Sequence, residues 1–571
     1  MRTYLLTLIS VLLCADLFAV PAQRQQRRLT LADGTTVVAT LCGDEHYHWW
    51  QTADGQVLEE VEGMPSRYVR SQATAEEAAA RGIALRAKAA APQRIGSQAT
   101  APLPATGSPK VPVVLVNFQD SVFHVADTDE GIREYYDRYC NGTRDGQLYK
   151  GHGSYGAIRD YFAQQSDSIF MPEFVIIGPV TLDHPEEYYG ANGSGKDSRY
   201  SEFRNHAIAK ATQLYDGDWM DFDNRGLEQV DMVFFIFAGC GEANGGPSTT
   251  IWPKESTGSI TLNGIKFATS ACCNENRGRT DENGNVIQTK PDGIGIMCHE
   301  LSHALGLPDF YDTRSNATAF GMDLWSLMDY GCHADNGATP CAYTAYERDF
   351  MGWRSMQELT EWGSVTLASL EADGVGMKIV NDENANEYYV LENRQPIGWD
   401  SSVGSFGHGL QVTHVDYDAT RWRSNNVNTD PTHQRMTIIA ANNLYYGTSN
   451  PETTSAEMLI NTWKGNMYPF VGYNADGNHV RNDSLTANST PAATVYTAAG
   501  YLGKNLYDIH EHGANLVSFY FGNNFVVGID EANIAPVHKP QAAFDLMGRR
   551  VATEALPAGI YVIGGRKVVI K

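Results

Sequence analysis

Two stretches of the chain are almost wholly apolar, Val111–Phe118 and Val230–Gly239. A short run of that kind suits a strand buried on both faces of a sheet. Phe174–Ile177 is also strand-like, and Tyr155–Gln165 and Ser201–Tyr215 have helical spacing. Strands mixed with helices predict an α/β half up to about residue 300. From 361 to 525 the pattern changes. Strand-like runs recur at Val365–Leu367, Lys378–Val380, Glu387–Glu392, Gly409–Val415, Met436–Ala440 and Leu516–Phe521, with Gly, Asn and Asp between them. That predicts an all-β accessory unit, a sandwich or open barrel.

Upstream, Thr36–Leu41 and Tyr47–Trp50 alternate, with a turn at Asp54-Gly55. An Ala-rich helical stretch, Ala75–Ala91, leads into Gly96–Pro109, whose Ala, Pro, Ser, Gly and Thr predict an extended, cleavable linker. A small unit joined this way to the rest suggests a pro-segment. The first residues combine a basic start, a short apolar core from Leu5 to Leu13, and small residues near Val20-Pro21-Ala22. These predict a signal peptide cut after Ala22 or Ala19, and export. The apolar run is too short for a convincing membrane anchor.

The formal charge, 43 − 67 = −24, argues against nucleic acid or an anionic membrane as partner. Removal of Cys14 with the signal peptide leaves Cys42, Cys140, Cys240, Cys272, Cys273, Cys298, Cys332 and Cys341. Export permits disulfides, and Cys332 with Cys341 could close a short loop, but sequence assigns no pairs.

The chemistry centres on Cys298 to Phe310, which contains His-Glu-x-x-His-x-x-Gly-x-x-Asp. His299 and His303 lie one helical turn apart on one face, the spacing for chelating one Zn²⁺. Glu300 is placed to take a proton from water. Gly306 can adopt φ > 0 and end the helix, Pro308 cannot continue it, and Asp309 supplies a third ligand on the turn. Two satisfied histidines on an ordinary core helix are the plainer alternative. The extra Gly and Asp at fixed offsets weigh against it.

Calcium is a second candidate ion. Asp221–Asp231 resembles an acidic calcium loop, although Arg225 and Leu227 occupy ligand positions, and a solvated turn is the rival reading. Asp416-Tyr417-Asp418 and Asn428-Thr429-Asp430 are further candidates, with exposed turns as the alternative. Cys42 and Asp44, in Cys42-Gly43-Asp44, could occupy the zinc's open position and hold a precursor latent.

Downstream, Ser326-Leu327-Met328-Asp329-Tyr330 resembles the Met-turn of the metzincins. By that resemblance Met328 is an apolar floor beneath the metal, and Tyr330 could aim its hydroxyl at an oxyanion. Several segments together resemble the immune-inhibitor-A-like metallopeptidases, a secreted bacterial group. They are Ser154–Phe162, Val180–Leu182 with Tyr188–Gly190, the zinc run through Asp312, Trp325–Met328, Ala345–Arg348 with Gly352-Trp353, and Gly43–Trp49 with Asp54-Gly55. The likeness runs from about residue 35 to 525. It implies His299, His303 and Asp309 as zinc ligands and Glu300 as base. Cys42 is not expected of the family. The tail from Phe544 to Lys571, expected as three short strands, resembles the sorting signal of the type IX secretion route. A last hairpin of the accessory unit is the alternative.

The expectation is therefore a multidomain α+β chain. It comprises a signal peptide (1–22), a pro-segment and linker (23–108), a metzincin-like catalytic domain (109–360), a β-sandwich-like accessory domain (361–525), and a linker with a sorting-type tail (526–571). The expected function is a secreted, monomeric zinc endopeptidase made as a latent precursor. It would act on protein or peptide substrates and engage export machinery through its tail. A catalytically idle surface adhesin and a zinc hydrolase of non-peptide bonds are the rivals. No carboxylate pairing of the glycosidase kind is evident for the latter.

Overall fold

The structure, a computed structural model, describes residues 17–18, 26–44, 47–61, 64–75, 77–78, 81, 100–143, 145, 147–151, 153–193, 196–256, 258–280, 286–314, 318–448, 456–473, 477–513, 515–523, 543–545, 550–551, 558–563 and 566–570. It is α+β and multidomain, with mixed helices and several separate sheets.

The N-terminal unit is a closed barrel of β1 (Gln26–Leu31), β2 (Thr36–Asp44), β3 (Tyr47–Thr52), β4 (Val57–Val61) and β5 (Met64–Arg70). Asp54-Gly55 makes the turn between β3 and β4, with Gly55 at φ +80°. Leu29, Trp50, Leu58 and Tyr68 join the same apolar core as the central domain, so the barrel is packed against it. Most of Ala75–Ala91 lies outside the described residues, as does the expected signal peptide apart from Leu17-Phe18. That dipeptide pairs antiparallel with Ser256 and Glu255.

The central sheet is built on β6 (Lys110–Asn117), β7 (Glu173–Thr181), β8 (Val230–Cys240), β9 (Lys254–Ser256) and β10 (Ile265–Thr280), in spatial order β9-β10-β8-β6-β7. The β10/β8, β8/β6 and β6/β7 pairs are parallel, and β9 runs antiparallel to β10. The apolar runs are central strands, as their composition predicts. Alternation along β8 sends Met232, Phe234 and Ile236 into one core and Val233, Phe235 and Phe237 into another. The second core is closed by α3 (Tyr200–Leu214) through Phe203, Ala207 and Ala211. The first is closed by α1 (Asp129–Asn141), α2 (Ile158–Gln165) and α4 (Gly295–Ala304).

The linker expectation needs correction. Ala101, Leu103 and Ala105 are buried, Leu103 N donates to Ala304 O at 2.9 Å, and Trp353 Nε1 donates to Ala105 O at 2.7 Å. Residues 101–105 of the expected linker therefore pack against the central domain. Small-residue composition hid two buried alanines and one leucine that act as core.

The β-rich unit contains a pair of packed sheets, beside a two-stranded sheet of Phe470–Tyr473 and His479–Asn482. One contains Gln357–Glu358, β12 (Met377–Asn381), β13 (Asn384–Arg394), β14 (Gly409–Asp416) and β15 (Met436–Ile438). The other contains β11 (Gly363–Ala368), β16 (Asn505–His512) and β17 (Leu516–Gly522). Tyr389, Leu391, Leu410 and Val412 face Leu506, Ile509, Val517 and Phe519 between the sheets. Val390, Val415, Met436 and Ile438, of the first sheet, belong to the core of the central domain. The larger sheet is thus shared, and loops leaving it reach the zinc-type motif.

In the tail, Ala543–Asp545, Arg550–Val551, Gly559–Ile563 and Arg566–Ile570 form one antiparallel sheet, four strands where three were expected. Cys42, Cys140, Cys240, Cys272, Cys273, Cys298, Cys332 and Cys341 are buried with no disulfide among them, so Cys332 and Cys341 do not close the short loop that their spacing allows.

Candidate metal centre

The helix α4 carries Cys298-His299-Glu300-Leu301-Ser302-His303 and is buried along its whole length. Leu301, Ala304 and Leu305 fill the core, which leaves the histidine face toward the following turn. Gly306 sits at φ +103°, a conformation closed to most side chains, and it reverses the chain as expected. The reversal returns Leu307 O to His303, whose Nδ1 donates to it at 2.8 Å. His299 Nδ1 donates to Leu327 O, also at 2.8 Å.

Those two bonds fix the tautomers. With each Nδ1 carrying a proton, each ring has its Nε2 left to face a cation, whether a metal or a second proton. The two Nε2 atoms are 3.1 Å apart, and Asp309 Oδ1 lies 3.2 Å from His299 Nε2 and 3.3 Å from His303 Nε2. All three residues are buried, and Asp309 Oδ1 has no hydrogen-bond donor among the described residues. Three electron-rich atoms facing one another in a dry site repel unless a positive charge lies between them. Tetrahedral zinc with bonds of about 2.0–2.1 Å needs ligand atoms about 3.3–3.4 Å apart. The donor set fits that ion closely.

The electrostatics say the same. Burial lowers both imidazoles, and at His299 it prevails. At His303 the Asp309 charge more than offsets burial and raises the ring to about 9. Burial would raise Asp309, but His303 and His299 together hold it well below the usual carboxylate range. The trio is thus built around one positive charge. Among the described residues, His299, His303 and Asp309 form the one group arranged to hold a metal.

Around this trio, Phe310 N donates to Met328 O at 2.8 Å, so Ser326–Tyr330 is tied to the zinc-type turn as well as to His299. Met328 is fully buried in the same core. Ser326 Oγ donates to Glu347 Oε1 at 2.6 Å, and Glu347 also caps α5 (Ala345–Phe350) through Thr344. Asp309 N donates to Asn425 Oδ1 at 2.7 Å, and Asn425 Nδ2 donates to Asp309 Oδ2 at 2.6 Å. Glu300, beside His299, is buried too. The ring contacts of Tyr330 are with His333 and Trp463, at 5.1 and 6.4 Å between centroids.

The latency and calcium expectations fare differently. Cys42 packs with Tyr47, Trp49, Val57 and Ala78, and its Sγ lies 3.7 Å from Thr40 O. The metal-type trio does not include it, so in this conformation the thiol does not take the open position. Burial in an apolar cluster of the N-terminal barrel explains why. The side chain of Asp44 lies outside the described residues. Calcium is not supported. Asp223 accepts from Leu227 N and Glu228 N, and Asp231 from Arg225 N, all within their own turn. Asp416 is bonded to Arg435 and near His433, Asp418 caps the helix Ala419–Arg423, and Asp430 accepts from Thr432. Each of these carboxylates is thus engaged by protein donors.

Comparison with known proteins now bears on this geometry. Residues 102–357 match immune inhibitor A peptidase M6, catalytic domain. The matched stretch contains the whole trio, Glu300 and Ser326–Tyr330. Pre-pro-metalloprotease PrtV of Vibrio cholerae serotype O1 is 25% identical over 272 residues, covering 42% of this chain and 29% of that protein. Immune inhibitor A of Bacillus thuringiensis subsp. alesti is 23% identical over 273 residues, covering 42% of this chain and 39% of that protein. The chain spans well under half the length of either relative. Together these matches support a metallopeptidase reading of this stretch. No helix among the described residues is long and apolar enough to cross a membrane.

The sequence pattern did not reveal the supporting atoms. Leu307 O and Leu327 O are backbone groups with no side-chain signature. Asn425 stands in a segment with no motif around it.

Proposed function

We propose that the chain is a secreted, metzincin-like zinc endopeptidase, made as a latent precursor and exported with the help of its C-terminal tail. The observation that carries the reading is the convergence of His299 Nε2, His303 Nε2 and Asp309 Oδ1 within 3.3 Å, all buried and preset as acceptors. His299, His303 and Asp309 would hold Zn²⁺. When bound, that ion lowers the pKa of a water toward about 7 and polarises a carbonyl.

The rest falls to the protein's own groups. Glu300 takes the proton from the attacking water and returns it to the leaving amine nitrogen. Its place beside His299 on a buried helix supports that role. Leu307 O and Leu327 O hold both rings in the ligating tautomer. Met328 serves as the apolar floor of a Met-turn, and Tyr330 donates its hydroxyl to the developing oxyanion. Support for the Tyr330 role is its position two residues beyond Met328, partly buried beside His333.

Latency rests on the docked barrel. His48 of β3 stacks on Trp252 with centroids 4.6 Å apart and lies 3.2 Å from Glu242 Oε1. Digestion of casein by the chain after removal of the barrel, with and without a chelator, tests the reading. Hydrolysis abolished by chelation and restored by zinc supports it. Hydrolysis indifferent to chelation, or none in any state, refutes it.

A further inference from the structure

We infer that Asn425 is a positioning residue for Asp309, supplied to the metal centre by the β-rich unit from 116 residues downstream. The inference rests on the zinc reading above and adds a participant to it.

A carboxylate on a turn can rotate about two side-chain bonds and offer either oxygen, or both, to a cation. Asp309 is denied that freedom. The Asn425 amide accepts from Asp309 N through Oδ1 and donates to Asp309 Oδ2 through Nδ2, at 2.7 and 2.6 Å. One planar group thereby ties the backbone and the distal oxygen of the same residue. Oδ2 is occupied, and Oδ1 alone is left facing the two imidazoles at 3.2 and 3.3 Å. The amide also carries no charge, so Asp309 keeps its full anionic character for the cation.

Only asparagine meets these demands at this position. A donor and an acceptor are needed on one short side chain, and the backbone stands at φ +51°, a region Asn enters more readily than most residues. Aspartate there would set carboxylate against carboxylate. Alanine would remove both bonds from a buried site. The amide is itself held, because Asn425 follows α6 (Ala419–Arg423), Asn425 N donates to Trp422 O at 3.2 Å, and Thr313 Oγ1 donates to Asn425 O at 2.9 Å. Trp422 is fully buried against Phe310, the residue after Asp309.

A neighbour separates positioning from simple loop anchoring. Asn428 Nδ2 donates to Phe310 O at 2.7 Å, joining the same two segments without touching the carboxylate. The test compares full-length wild type with Asn425→Ala, Asn425→Asp, Asn428→Ala and His303→Ala. Zinc dissociation constants are measured by competition with a chromophoric chelator, visible spectra after Co²⁺ substitution, and melting after EDTA treatment. Asn425→Ala and Asn425→Asp should weaken zinc about 10- to 100-fold and alter the Co²⁺ bands. Asn428→Ala should lower the metal-free melting temperature at least as much, yet keep zinc affinity within about threefold. Should Asn425→Ala not fold, the isosteric Asn425→Asp decides alone. Wild-type affinity in the Asn425 variants, or an equal zinc loss in Asn428→Ala, overturns the assignment. Zinc binding indifferent to His303→Ala overturns the proposed function, and this inference with it.

Discussion

His48→Ala attacks the seam between the barrel and the central domain, and its size can be worked out from the contacts. The ring stacks on Trp252 at 4.6 Å and 26°, an aromatic pairing worth about 0.5–1.5 kcal/mol beyond area burial. Its Nε2 stands 3.2 Å from Glu242 Oε1, and both side chains are buried. Removing one partner of a buried polar contact costs about 1–3 kcal/mol. The Ser248 Oγ bond to Glu60 Oε1 at 2.6 Å survives, as does the contact of Ser248 with Tyr68. Docking should therefore weaken by about 1.5–4.5 kcal/mol, raising the undocked population about 10- to 2,000-fold. Hydrogen exchange on the intact chain reads this directly. Amides of 242–252 should lose protection by that factor while those of β3 and β4 stay protected, because the barrel keeps its own strand pairs. Peptidase activity of the uncleaved chain should rise in parallel. Protection at 242–252 within threefold of wild type would refute the reasoning.

Three further outcomes follow from other parts of the molecule. Ser326→Ala removes the 2.6 Å bond to buried Glu347 and should cost about 1–3 kcal/mol in urea unfolding, with a larger loss of activity than of stability; unchanged stability would contradict the role given to that bond. Burial raises Asp231 to about 6, against about 3.9 when unfolded, so its stabilising protonated form is complete below pH 4 and lost as pH rises through 6. Urea titrations should show wild type losing about 1–3 kcal/mol relative to Asp231→Asn between pH 4 and 7, and a flat difference would argue otherwise. The eight described cysteines are buried with no disulfide among them, so a thiol reagent should leave them unreacted in the native chain and modify all eight in denaturant without reductant; fewer than eight of these modified would reveal a bridge.

Much of this was legible because the signals were local. His-Glu-x-x-His fixes two ligands by helix pitch, Gly306 fixes the reversal, and Asp309 follows from its offset. Val111–Phe118 and Val230–Gly239 announced central strands because burial on both faces removes alternation altogether. What the sequence hid was non-local. Cys42 has ligand chemistry, but its burial with Trp49 and Val57 depends on barrel closure, which no pair of neighbouring residues encodes. The acidic loops left calcium open beside a solvated turn because sequence shows carboxylates and hides the backbone N–H groups they accept from. Leu103 was lost in a small-residue stretch whose composition resembles a tether, although one leucine and two alanines suffice to seat it against Ala304. Asn425 carries no motif because its partner is 116 residues away.

The central claim is that three buried acceptors hold one zinc and Glu300 moves the proton. Its most direct test is metal content and caseinolysis measured together on barrel-free wild type and Glu300→Gln. The account predicts one zinc per chain in both proteins, with hydrolysis falling at least about 100-fold in the variant alone. Full hydrolysis by the zinc-loaded variant, or a wild type that is active without zinc, would contradict it.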